Sequence, residues 1–442
     1  MSWRKVKIGE VLERKKNLIE IEDDKEYKLV TVKLYHKGVT LRKIAKGSEL
    51  GSSKMHSVKT GEFILSGIDA RHGAFGIIPA ELEGAVVSND FWCLAFDKEV
   101  IEKQFFLKLT STTFFDDLCK KASDGTTNRV RLQADKFFNL EITLPSIKEQ
   151  KDFVQRYSKL EESNHAISAE LNHQLSLVKE LRQAYLREAM QGKLALQDST
   201  DEPAEILLEK IKAEKEKLVA EKKIKRDKPL PPIKHEEIPF EIPSNWTWCR
   251  LGEICSHISD IDHNMPRAVE NGGVKFLSAK DLLDNGTINF EKDIKYISEE
   301  DFERLSRRVI PQRNDIIYSR IGAKLGKARV VESDEKFLVS YSCCTIRTLN
   351  PNLLFLNSLL DSGFVLKQAT RDTTDHSIPD LGMQKIKEFL IQLPPLAEQE
   401  RIVAKLERLM KFCDELEINI KHARANANML LQVALKEALE SR

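Results

Sequence analysis

The segment Ile142-Thr-Leu-Pro145-Ser-Ile-Lys-Glu149-Gln150 returns as Ile391-Gln-Leu-Pro394-Pro-Leu-Ala-Glu398-Gln399, 249 positions further on, and the register holds through the charged, leucine-bearing stretch after each copy. So long a period decides the architecture before any secondary structure is considered. Earlier landmarks repeat as well. Trp3, Ile8, Gly9, Glu10 and Val11 come back as Trp246, Leu251, Gly252, Glu253 and Ile254, and the run from Gly61 to Ser66 matches that from Asn314 to Ser319. Each half therefore reads as a mixed domain of about 140–150 residues followed by a long helix.

The helical segments carry a period of their own. Val154, Tyr157, Leu160, Asn164, Ile167, Leu171, Gln174, Val178, Leu181 and Tyr185 recur at steps of three and four. Displaced by 249, the same positions hold Val403, Leu406, Leu409, Cys413, Leu416, Ile420, Ala423, Ala427, Leu430 and Ala434. An apolar seam sustained over several heptads and flanked by Glu, Lys and Arg is a coiled-coil signature. A helix of about 45 residues would run roughly 65–70 Å, farther than one small domain covers, so the two helices are expected to pack on each other rather than each on its own domain. Asn164 either fixes the register of the pair or marks a solvent-facing kink.

Prolines place the helix starts. Leu144-Pro145 and Leu393-Pro394-Pro395 impose an extended strand end, and Glu149 and Glu398 then fall in the first turn, where negative charge suits the helix dipole. The first helix is expected to stop near Gly192. Beyond it, Asp201-Glu-Pro203 opens a Lys/Glu-rich helix to about Lys225, read as solvated, and Lys228-Pro-Leu-Pro-Pro232 is an extended linker. The expected boundaries are 1–145 for the first domain, 146–192 for its helix, 193–238 for the charged helix and linker, 239–393 for the second domain and 394–442 for the last helix.

Composition narrows the function classes. With 70 Lys+Arg against 69 Asp+Glu the formal charge is +1, so any nucleic-acid contact must come from local basic faces. The 31% charged and 7% aromatic content favours much solvated helix. No apolar run approaches the ~18–20 residues of a membrane span, and the N-terminus lacks an apolar signal core. The seven cysteines are scattered, with no C-x-x-C pair, and read as reduced, buried thiols. Gly322-Ala-Lys-Leu-Gly326-Lys327-Ala328 falls one residue short of a phosphate loop and ends in alanine. No H-E-x-x-H, G-x-S-x-G or Asn/Asp-Pro-Pro-Tyr/Phe motif occurs, and His263 and His376 stand alone. No catalysis, metal or cofactor is expected of the chain itself.

Together these landmarks resemble the specificity subunit of type I restriction-modification systems, over essentially the whole chain. The likeness rests on the paired helix openings Leu144–Gln150 and Leu393–Gln399, on Leu186-Arg-Glu-Ala-Met-Gln-Gly-Lys-Leu194, and on Ile238-Pro-Phe-Glu-Ile-Pro-Ser-Asn-Trp246-Thr-Trp248. Ile68-Asp-Ala-Arg71-His-Gly-Ala-Phe-Gly76 resembles a variant of the family's target-recognition core, while Ser319-Arg320-Ile-Gly-Ala-Lys324-Leu-Gly326-Lys327 is closer to its common form. The resemblance implies an α+β protein, two pseudo-repeated mixed α/β target-recognition domains separated by two long antiparallel coiled-coil helices. It implies that each domain reads one half of an interrupted double-stranded DNA site, and that the helices carry two methyltransferase subunits. A restriction and motor subunit would complete a cytoplasmic complex, with S-adenosylmethionine, ATP and Mg held by the partners.

Base edges are read by Arg, Lys, Asn, Gln, Asp or Glu, and phosphates by Lys, Arg and backbone amides. The candidates in the first half are Lys33, His36, Lys37, Arg42, Lys43, Arg71, His72, Arg129 and Arg131; in the second, Arg267, Lys280, Arg320, Lys324 and Lys327. Two rival readings stay open: a specificity subunit serving a methyltransferase alone, and a coiled-coil scaffold that never touches DNA.

Overall fold

The structure, a computed structural model, describes residues 3–124, 130–270, 272–371 and 380–440. The chain forms two compact units. One comprises residues 1–171 with 422–442, the other residues 172–421.

In the first unit the entry strand Arg4–Lys7 pairs antiparallel with the exit strand Glu141–Leu144, so the domain begins and ends at one clasp. Beside it stands an antiparallel sheet ordered Leu12–Lys15, Phe91–Phe96, Phe63–Ser66, Phe75–Ile77. The strand Phe63–Ser66 is buried throughout, and Phe63, Phe75, Phe106 and Phe115 meet edge-on at centroid distances of 5.1–6.3 Å. A second sheet of five strands runs Leu18–Glu20, Lys54–Ser57, Val86–Val87, Glu26–Val32, Val39–Lys46.

The second unit repeats this frame. Thr247–Arg250 clasps Leu390–Leu393, and the four-stranded sheet runs Cys255–Ser259, Cys343–Thr348, Ile316–Ser319, Ala328–Val330, in the same order and sense. Two short helices then follow in each half, Lys103–Thr110 with Thr113–Lys121 and Leu353–Leu360 with Gly363–Arg371. The halves part company in the second sheet. Here it has three strands, Lys295–Ile297, Val274–Leu277 and Phe337–Val339, the last pair parallel.

Each half runs into a long helix, Ile147–Met190 and Leu396–Glu440. Within the first unit Val154, Leu435 and Leu439 pack on the domain core, Tyr157 is buried, and Asn164 Nδ2 donates to Asn428 Oδ1 at 3.1 Å. Within the second, Val178, Leu406 and Cys413 are buried, with Leu181, Val403, Leu409, Leu416 and Ile420 half-buried and Leu171 likewise in the first. Arg182 spans the helices there to Asp414 at 2.7 Å and Glu417 at 3.2 Å. The seam is not uniform. Leu160, Ile167 and Leu430 are 51%, 49% and 69% exposed, because a heptad pattern fixes which side of a helix is apolar but not which stretches have a neighbour close enough to cover it.

The charged helix is not solvated all round. It spans Ala204–Ala220, and Ala204, Leu207, Leu208 and Ile211 form a buried i, i+3, i+4, i+7 stripe against the second unit's core. The proline linker is likewise strapped down. Arg250 donates to the carbonyls of Pro231 (3.3 Å) and Pro232 (3.4 Å), to Glu388 O (2.9 Å) and to Glu237 (2.5 Å). Lys387 and Lys215 hold Asp227 at 2.5 and 3.1 Å.

Candidate nucleic-acid interface

In the first half the candidates converge on one β-hairpin. Strands Glu26–Val32 and Val39–Lys46 pair antiparallel, with a bulge: Leu29 faces Lys43 and Val30 faces Leu41, which leaves Arg42 as the extra residue. A bulge turns side chains off strict alternation. As a result Leu41, Arg42, Lys43 and Ile44 are all exposed on this edge strand, where alternation alone would have hidden every second one.

The hairpin tip is fixed rather than floppy. Tyr35 and His36 both have positive φ (59° and 57°), as a type I′ turn requires, a backbone form that side chains with a Cβ adopt at a cost of roughly 1–2 kcal/mol each. Docking holds it. Tyr35 N–H donates to His72 O (2.9 Å), His36 N–H to Gly73 O (3.0 Å), and the His36 ring meets Asp116 at 3.0 Å and Phe75 at a centroid distance of 5.2 Å. Gly73 must be glycine: its φ is +72°, and a Cβ would lie 2.7 Å from the His36 ring. His36 is thus an anchor of the tip: its Nε2 is committed to Asp116 while the residue remains exposed. Around that anchor the fold gathers exposed Lys33, Lys37 and His72 with half-buried Arg71, whose Nε donates to His72 Nε2 at 3.0 Å. Arg131 pairs with Asp90 at 2.7 Å, and Arg129, like His376 of the second half, lies outside the described residues.

The second half builds its basic surface differently. Lys280, Lys324 and Lys327 come together around the excursion Asp281–Asp293. Lys280 Nζ donates to Asp293 O (3.1 Å), Lys324 Nζ to Lys280 O (3.1 Å), and Lys327 pairs with Asp284. Arg267 stands exposed on a separate loop before Val274. Arg320 requires correction. It is 2% exposed, bonded to Asp260 (3.0 Å), Asp380 (2.6 Å) and Leu381 O (3.0 Å), so its guanidinium serves the interior and has no face left for DNA. Its counterpart in the first half is Gly67, where a Cβ would approach Asp90 O at 2.9 Å. The two positions share one backbone role: Leu132 N–H donates to Gly67 O, and Leu381 N–H to Arg320 O.

Sequence reasoning overlooked Tyr35, Leu41, Ile44 and Lys46 on the ribbon and Arg308 beside Asp262. Leu41 and Ile44 were indistinguishable from core residues without the bulge, and Tyr35 without the turn that carries it. Among the described residues no group of three His, Cys, Asp or Glu side chains is placed to hold a metal ion, and no helix is long and apolar enough to cross a membrane. All seven cysteines are buried and unpaired; burial pushes the thiols of Cys93, Cys255 and Cys343 up to about 12.

Comparison with known proteins places this geometry. The EcoAI type I restriction enzyme specificity subunit of Escherichia coli is 33% identical over 253 residues, 55% of this chain and 42% of that relative. The EcoEI specificity subunit of the same organism is 30% identical over 255 residues, again covering 55% and 42%. The matched region thus spans about two fifths of the length of these curated relatives. Two solved structures share the fold over 99% of this chain at 19% identity: the HsdS subunit from Thermoanaerobacter tengcongensis (96% of that chain, TM-score 0.54), and a chain from work on complex assembly and conformational transition of the type I R-M system (97%, TM-score 0.57). The description of the type I restriction modification DNA specificity domain matches residues 1–177 and 243–423, both halves of the repeat, and the chain belongs to that family.

Proposed function

We propose that this chain is the sequence-specific DNA-recognition subunit of a type I restriction-modification complex. Each half reads one part of a bipartite double-stranded DNA site. The long helices space the halves and dock two methyltransferase subunits, and a restriction and motor subunit joins the full assembly. Methyl transfer, with S-adenosylmethionine, and ATP-driven cleavage, with Mg, then belong to the partners.

One observation carries this reading: a repeated frame, the clasp and four-stranded sheet, bears two unlike basic surfaces. In the first half that surface is a bulged ribbon with Arg42 and Lys43 beside apolar Leu41 and Ile44, suited to base edges and thymine methyls. In the second it is a lysine cluster on a loop excursion. Same frame and different readers are what two different half-sites demand. A scaffold that only joined proteins would have no use for the difference.

The test is single-molecule methylation mapping in a methylation-free host expressing the chain with and without its neighbouring methyltransferase gene. An interrupted two-part motif carrying N6-methyladenine only when both are present supports the reading. Copurification of the two proteins with no methylated motif would reject it.

A further inference from the structure

The tip of the first half's ribbon is held more firmly than its own contacts require. Lys33 N–H closes the loop on Gly38 O at 2.9 Å, and the backbone passes through Tyr35, His36 and Gly38 at positive φ (59°, 57° and 77°). A clamp on the neighbouring strand enforces this form. Besides the bonds to His72 O and Gly73 O and the seating of the His36 ring, Gly76 lets the neck of the hairpin in, since a Cβ there would lie 2.9 Å from Val39 Cγ2 and 3.3 Å from Gly38 Cα.

All of this secures backbone. The side chains carried outward secure nothing: Tyr35 is 70% exposed and Leu34 39%, and the Tyr35 ring and hydroxyl make no hydrogen bond or ring contact among the described residues. A turn that had only to close would place Asn or Gly at these two positions. Strain that the surroundings impose on a residue whose own side chain gains no contact points to a ligand.

The charges nearby say which. Lys33 and Lys37 are exposed on either side of Leu34 and Tyr35, Arg42, Lys43 and Lys46 are exposed along the strand that follows, and the carboxylate of Asp116 is taken by His36. An apolar, aromatic point ringed by cations suits a polyanion with an apolar interior, which is what stacked bases between two phosphate chains present.

We infer that Leu34 and Tyr35 form a wedge that enters one base-pair step of the first half-site, unstacks it and kinks the duplex, with Lys33 and Lys37 on the phosphates to either side. This inference rests on the DNA-recognition reading and adds a second way in which the first half discriminates. Apolar side chains driven between base pairs bend DNA, and pyrimidine–purine steps open most readily. The wedge therefore selects such a step by its deformability, without touching a base edge. The clamp makes this workable, because ordering a mobile tip would take from binding what opening the step needs.

The experiment uses the complex of the full chain with its modification subunits, on duplex DNA carrying the motif found by methylation mapping, with bending read by circular-permutation gel shift. A kink of about 20–90° within the first half-site is expected. Tyr35→Asn removes the ring and puts in a residue better suited to positive φ, so the variant should fold at least as stably as the parent. It should lose most of the bend and bind about tenfold more weakly, the effect of one lost stacking contact, while Tyr35→Phe keeps both bend and affinity. A nick walked through the first half-site relieves the cost of kinking; it should tighten binding by the parent complex about three- to tenfold at one step and leave Tyr35→Asn unchanged. A bend that survives Tyr35→Asn, or a parent complex bound without a kink in the first half-site, overturns the inference and leaves the recognition reading intact. So does failure of the Tyr35→Asn chain to assemble with the modification subunits in the absence of DNA, since the tip would then be a protein contact. A parent complex that methylates no motif defeats the recognition reading, and this inference with it.

Discussion

Arg320 Nη2 lies 3.0 Å from Asp260 Oδ2, with the two side chains only 3% and 6% exposed. A charge pair taken so far out of water is costly to break, because the survivor keeps its desolvation penalty and loses its compensation. Arg320→Ala should therefore destabilise the second unit by about 3–5 kcal/mol, read by denaturant unfolding. Lys324→Ala, at a partly exposed amine on the neighbouring loop, should stay within about 0.5 kcal/mol. A loss of DNA binding in the first variant would then report unfolding, and in the second a lost contact.

Arg42 and Lys43 owe their exposure to the bulge opposite Leu29 and Val30. Replacing either with alanine should leave the melting temperature of the chain unchanged while weakening DNA binding by its complex with the modification subunits. If the side chain meets a phosphate, the slope of log K against log salt falls by about one. If it reads a base, one half of the bipartite motif relaxes while the other stays fixed. Methylation mapping of each variant separates the two outcomes.

Asn164 and Asn428 face each other across the helix pair of the first unit. A double-mutant cycle with alanine at both positions should give a coupling energy of about 0.5–1 kcal/mol in thermal unfolding, the worth of one amide hydrogen bond. Because the pair is exposed, replacing both with leucine should change stability by less than about 0.5 kcal/mol.

Asp227 ties the proline linker to Lys387 and Lys215. Burial alone would raise its carboxyl, but the two lysine hydrogen bonds and charges outweigh that and hold it below the usual 3.8. A carboxylate lowered in the folded state stabilises above its unfolded pKa and loses that contribution as pH falls through the folded one. Acid should therefore free the linker below about pH 4, and Asp227→Asn should flatten this limb of the pH-stability curve.

The thiols of Cys93, Cys255 and Cys343 should resist an aromatic disulfide reagent in the native protein at pH 8 and react fully once denaturant is added. Their burial leaves too little thiolate to attack.

The repeat, the long helices and their starting prolines were legible in the sequence because each is a matter of spacing along the chain. So was the choice of Asn164 as the odd residue of the seam, although its partner Asn428, 264 positions on, was not. Long-range partners were not legible. Arg320 looked like a loop arginine until Asp260, sixty positions earlier, and Asp380, sixty later, were seen to enclose it. The bond of His36 to Asp116, eighty positions on, was equally out of reach. The ribbon's exposed leucine and isoleucine were hidden for a different reason, since a bulge shifts the phase of a strand without leaving a mark in composition.

The clasp has a consequence for inheritance. Because Arg4–Lys7 is hydrogen-bonded to Glu141–Leu144, and Thr247–Arg250 to Leu390–Leu393, each domain leaves the chain's path where it entered. Everything between those strands behaves as a cartridge: it can lengthen, shorten or be exchanged by recombination at two short homologous segments without displacing the helix that follows. The five-stranded insert of one half and the three-stranded insert of the other are two such cartridges in one frame, and replacing one takes a crossover at each of its two bounding segments rather than many compensating substitutions.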